Sequence, residues 1–143
     1  MRRPWIIGVV AGALLFATTD VALNAITVWL IQNDFPATSA IFNELFLRVF
    51  PLALAGLVAG YLAYPQGFGA ALFAGAAGAV ISLAVRNYQT IEWVASGGYN
   101  VAAISSWAAG IAVGSGICGW AGERLRMKRD LKPDKSPGHT FDG

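Results

Sequence analysis

Seven polar side chains sit inside or beside long apolar runs. They are Asp20 and Asn24 in the first run, Asn43, Glu44 and Arg48 in the second, and Ser105 and Ser106 in the last. Asp20 and Asn24 are four residues apart, as are Glu44 and Arg48, so each pair shares one face of a helix. An acid and a base in such surroundings can do two kinds of chemistry. They can neutralise each other and brace two helices, or they can relay a proton or ion and hold a polar solute. An ionisable group in hydrocarbon costs about a few kcal/mol or more unless it is paired, hydrated or protonated, so a functional role is the default hypothesis for it.

Other chemistry finds no support in the residues. No nucleophile–base pair, metal-ligand set or phosphate loop is visible, and no catalytic residue, metal or cofactor is expected. His139 stands in a polar tail with no second His or Cys nearby. Cys118 is the single cysteine, which rules out an internal disulfide. Gly114-Ser115-Gly116-Ile117-Cys118-Gly119 has the glycine spacing of a nucleotide loop, but it lies inside an apolar run with no preceding strand.

The elements that must position the polar residues are long and apolar. Hydrophobic residues make up 56% of the 143-residue chain and charged residues only 13%, against about 25% charged in soluble domains. A helix of roughly 20 apolar residues crosses a bilayer. The runs predict four transmembrane helices over about 5–31, 40–63, 68–85 and 99–122. The expected fold is an all-α integral membrane protein: one compact four-helix domain over 1–122, then a charged tail over 123–143 that starts as a short helical extension and ends disordered. A soluble bundle would need a polar outer stripe on every helix, and the third and fourth runs have none. The basic lead Met1–Pro4 and Ala11-Gly12-Ala13 resemble a signal peptide with a cleavage site. The apolar run continues to Leu30, well past a signal core, so an uncleaved anchor is expected.

Charge placement sets the orientation. Of ten Lys and Arg residues, eight lie near the two ends, while Arg86 alone falls in the opposite loops. The positive-inside rule then puts both termini in the cytoplasm of a multi-pass plasma-membrane protein. Trp5, Tyr61, Tyr64 and Trp120 would line the inner interface, and Trp29, Phe35, Tyr88, Trp93 and Tyr99 the outer one. The run Arg124-Leu125-Arg126-Met127-Lys128-Arg129 is a topology determinant and a candidate holder of anionic lipid. Nucleic acid is not expected as a partner, because the basic residues only flank a membrane span.

Small residues recur at four-residue spacing. The expected helix-packing positions are Gly8, Gly12, Gly56, Gly60, Gly75, Gly110 and Gly114. The fourth run carries the longest row, Ala102, Ser106, Gly110, Gly114, Cys118 and Gly122. Lipid gives helices no hydrophobic drive to associate, so close backbone approach must supply contacts. The row reads as packing within one bundle or as a seam between copies in a homo-oligomer or larger membrane complex. Pro51 predicts a kink, because it withholds an N–H from the Leu47 carbonyl.

Four short spans with an acid in the first are similar in outline to the small multidrug resistance transporters. That resemblance implies a Glu in helix 1, very short loops and a glycine-rich helix 3. This chain has Asp20, a long connection after the third run and a charged tail, and it lacks that family's distinctive motifs. The function expected from the residues is therefore a non-enzymatic accessory or assembly subunit packing through its Gly/Ala faces. The alternative is a small oligomeric transporter or channel using the Asp20/Arg48 cluster.

Overall fold

The computed structural model describes residues 2–33, 40–86 and 101–131. These form four α-helices: α1 (Arg2–Gln32), α2 (Ala40–Leu62), α3 (Gly67–Arg86) and α4 (Val101–Asp130). Pro4 falls in the first turn of α1, where a missing N–H removes no intrahelical bond. α2 runs continuously through Pro51, which is fully buried. A tight turn, Ala63–Gln66, joins α2 to α3, and its Tyr64–Pro65 peptide bond is cis. The connections 34–39 and 87–100 and the tail from 132 lie outside the described residues.

Three stretches are long and apolar enough to cross a membrane: Arg3–Trp29, Gly67–Val85 and Ile104–Asp130. In α2 the apolar stretch among the described residues is Val49–Leu62, which is shorter than a span. α4 runs past Gly122 into the segment expected to begin as a helical extension. It continues for two more turns to Asp130, carrying Glu123 and Arg126 onto the end of α2 and the start of α3.

In cross-section α2 and α3 touch each other and form the short diagonal of the bundle. α1 packs against both from one side and α4 packs against both from the other. α1 and α4 do not meet among the described residues.

The interior is built from small side chains. Ala55, Ala59, Ala70, Ala71, Ala74 and Ala79 are fully buried, with Phe16 as the one large side chain among them. The large aliphatic and aromatic residues point the other way: Ile7, Leu14, Phe73, Val80, Ile117 and Leu125 are all exposed. A contiguous apolar exterior of this size is a liability in water. In hydrocarbon it matches the solvent, and small interior residues let the backbones approach. Two hydroxyls of α1 outside the core are satisfied locally. Thr18 Oγ1 donates to the Leu14 carbonyl at 2.8 Å, and Thr27 Oγ1 to the Leu23 carbonyl at 2.9 Å.

Glycine makes the approach possible at defined points. A Cβ on Gly12 would stand 2.8 Å from both the Ala59 and Ala74 Cβ atoms, so α1 sits in the groove between α2 and α3. A Cβ on Gly60 would collide with the backbone of Gly119, and one on Gly119 would collide with Ala71 and approach the Gly67 carbonyl to 2.8 Å. Gly119 is thus where α2, α3 and α4 converge. Gly8, Gly56 and Gly75 are likewise crowded by a neighbouring helix, while Gly114 meets only the flexible end of Leu52.

Gly110 faces open space. The reason lies in helical pitch. At 3.6 residues per turn an i, i+4 row drifts by about 40° per step, so a row of five steps sweeps about 200° around the helix. The row from Ala102 to Gly122 therefore winds from the exterior at Ser106 and Gly110 to the interior at Gly122. The described residues of α4 that stay buried are Ile111, Ala112, Ser115, Gly116, Gly119 and Gly122.

Candidate functional site

Asp20 is the buried ionisable residue among the described residues of the bundle, with 8% of its surface exposed. By the helical rise it lies about 27 Å from the Arg2 end of α1 and about 18 Å from the Gln32 end. One turn inward is Phe16, the centre of a cluster with Ala55, Ala79 and Ile111. Asp20 thus caps that cluster on the side toward the Gln32 end of α1. Its carboxylate accepts a hydrogen bond from Ser82 Oγ of α3, and Ser82 is fully buried. The contact ties α1 to α3 at the level where the alanine packing ends.

The other residues expected around Asp20 fall in three groups. Asn24 is half-buried, one turn beyond Asp20 on α1. Asn43, Glu44 and Arg48 belong to the first half of α2, but their side chains, and with them the Asp20–Arg48 pairing, lie outside the described residues. Ser105 and Ser106 are on the exposed side of α4, a helix that does not touch α1 among the described residues.

Ser82 is the residue that sequence reasoning missed. Its signal was present, since it is the only polar side chain between Gly67 and Val85. Depth counted from helix ends concealed it. Ser82 lies about 6 Å from the Arg86 end of α3, whereas Asp20 lies about 18 Å from the Gln32 end of α1. α1 therefore projects about 12 Å farther beyond this level than α3 does.

A second polar assembly holds the end of the bundle at the α2–α3 turn. Glu123 Oε2 accepts from the Gly67 N–H at 3.1 Å, which places a carboxylate at the N-terminus of α3. Arg126 Nη1 donates to the Tyr61 and Leu62 carbonyls at 3.0 and 3.3 Å, the last carbonyls of α2. Helix ends leave such groups without intrahelical partners, and charges of these signs complement the two helix dipoles. Arg126 also stacks beside the Tyr61 and Tyr64 rings, 5.8 Å from each centroid. One face of α4 therefore clasps both sides of the α2–α3 turn. Ser115 adds a buried contact higher up, its Oγ lying 3.5 Å from the Leu52 carbonyl. Arg126→Met is expected to lower stability by about 1 kcal/mol, because its two carbonyl partners fall back on interfacial water. Unfolding by SDS titration in mixed micelles reads the change, and a Met variant as stable as the parent would dismiss the clasp.

Among the described residues no group of three His, Cys, Asp or Glu side chains is arranged to hold a metal ion. The fold and these contacts define an all-helical bundle with three helices of membrane-crossing length. Comparison with protein-family models, curated proteins and solved structures gives no match for the chain.

Proposed function

We propose that this chain is a non-enzymatic membrane subunit, an accessory or assembly component that packs through Gly/Ala helix faces. The observation supporting it is how the interior polar groups are used. Asp20 meets Ser82, Glu123 meets Gly67, and Arg126 meets Tyr61 and Leu62, each contact joining two helices of the same bundle. Polar groups employed in this way hold one arrangement, which suits a part that must present a fixed surface to a partner. In this reading α2 is a fourth crossing and both termini are cytoplasmic, in keeping with the eight basic residues near the chain ends. A cysteine placed at Asp34 or Ser96 would then be labelled from outside the cell, and one at Ser136 would not.

A transporter or channel is the second reading, favoured by one observation, the carboxylate of Asp20 within the bundle interior. Gentle detergent purification, followed by the mass and identity of what travels with the chain, tests the first reading. A stoichiometric partner that also binds the Asp20→Asn variant is the expected result. Purification alone, with proton-linked flux in liposomes that Asp20→Asn abolishes, would overturn it in favour of the second.

A further inference from the structure

The inner end of the bundle carries an apolar groove of about 250 Å³ between α2 and α4, lined by Leu57, Val58, Tyr61, Leu62, Gly122 and Leu125. Gly122 makes its floor. A Cβ there would collide with the Leu57 carbonyl and approach the Tyr61 N–H to 3.0 Å, so the absent side chain both brings the helices together and leaves the trough. The trough follows α2 for about 8 Å. On α4, Arg129 lies seven residues after Gly122, two turns on and within about 20° of the same face. Its Nη1 donates to Tyr61 Oη at 2.5 Å, and the contact is exposed. A guanidinium has five N–H donors, so this bond anchors the group while leaving donors directed outward. Lys128 stands beside it in sequence.

The neighbouring cations are employed differently. Arg126 is committed to the carbonyls of α2 and to Asp130 at 3.9 Å. Arg124 lies over the Trp120 ring at 5.0 Å, on the far side of α4 from Gly122 by helical count.

We propose that this groove is a site for one anionic phospholipid from the leaflet on the side of the termini, with an acyl chain along Leu57, Val58 and Leu125 and the phosphate on Arg129 and Tyr61. Charge complementarity decides the occupant. The trough is apolar along its length and ends at an anchored, solvent-facing guanidinium, the order of groups in a phospholipid with a net negative head. The proposal narrows the basic run of α4 to a single residue and adds Tyr61, and it rests on the bilayer reading of the bundle.

Native mass spectrometry of the full chain, released from nanodiscs of mixed phosphatidylglycerol and phosphatidylcholine, tests it. One retained phosphatidylglycerol is expected. Arg129→Gln should weaken retention about fivefold, and Leu125→Trp, an exposed change that fills the trough, should abolish it. Arg124→Gln removes the same charge from the opposite face and should leave retention unchanged. Equal losses from Arg124→Gln and Arg129→Gln would mean diffuse surface attraction and overturn the site, as would equal retention of phosphatidylcholine. A dimer that Leu125→Trp dissociates would assign the groove to a second copy instead. A chain that fails to enter nanodiscs or the membrane fraction would refute the bilayer reading itself, a result distinct from any of these.

Discussion

Gly60→Leu is expected to prevent α2 and α4 from docking, the largest effect of any single substitution in the bundle. The atoms a side chain would meet at Gly60 are the carbonyl oxygen, carbonyl carbon and Cα of Gly119. Backbone cannot rotate aside as a side-chain tip can, so the helices must separate. Gly119 is itself pressed against Ala71 of α3, so the displacement does not stay local. Overpacking a tight core costs about 1–3 kcal/mol even where side chains can adjust. Gly60→Ala is therefore expected near the top of that range, and the Leu variant is expected to lose the native bundle. Gly110→Ala supplies the control. It faces open space, and replacing a mid-helix glycine with alanine gains about 0.5–1 kcal/mol. SDS titration with far-UV circular dichroism distinguishes the two. Comparable stability for Gly60→Leu and the parent would show that α2 and α4 do not meet at this point.

The second large effect is expected at Ser82. Ser82→Ala withdraws a buried donor from the Asp20 carboxylate and is expected to lower stability by about 1–2 kcal/mol. Asp20→Asn should be milder, because an amide oxygen still accepts from Ser82 Oγ and the volume is nearly unchanged. If the contact is the origin of both losses, the double variant will fall short of their sum. Groups in direct contact show coupling of about 0.5–3 kcal/mol, whereas distant independent sites add. Strict additivity in the thermodynamic cycle would separate the two residues energetically and leave the Asp20–Ser82 contact without consequence for the fold.

The helices were legible because apolar runs and polar turns alternate on the scale of a bilayer crossing. α1, α2 and α3 begin and end within a few residues of the expected limits. The polar contacts were less legible, for geometric reasons. Ser82 is 62 residues from Asp20, and its level on α3 becomes plain only when the unequal projection of α1 and α3 is known. Glu123 and Arg126 read as members of a charged tail, since nothing near them in sequence marks the ends of α2 and α3 as their partners. Gly110 belongs to a regular spacing whose drift around the helix carries it away from the interface. Composition and periodicity report what each helix is immersed in. Which residues of two helices share a level depends on offsets between helices, and no single helix encodes those.

The clasp made by α4 has a consequence in time. Gly67 and Glu123 are separated by 56 residues. At a synthesis rate of about 5–20 residues per second, the end of α3 waits roughly 3–11 s before the ribosome supplies its carboxylate. During that interval the hairpin of α2 and α3 has been made but cannot be fastened. The same late segment brings Gly119, the point at which three backbones converge. α4, made after the other three helices, is thus the one that closes the bundle, and a nascent chain halted before Val101 holds three helices with the α2–α3 turn unfastened at both ends.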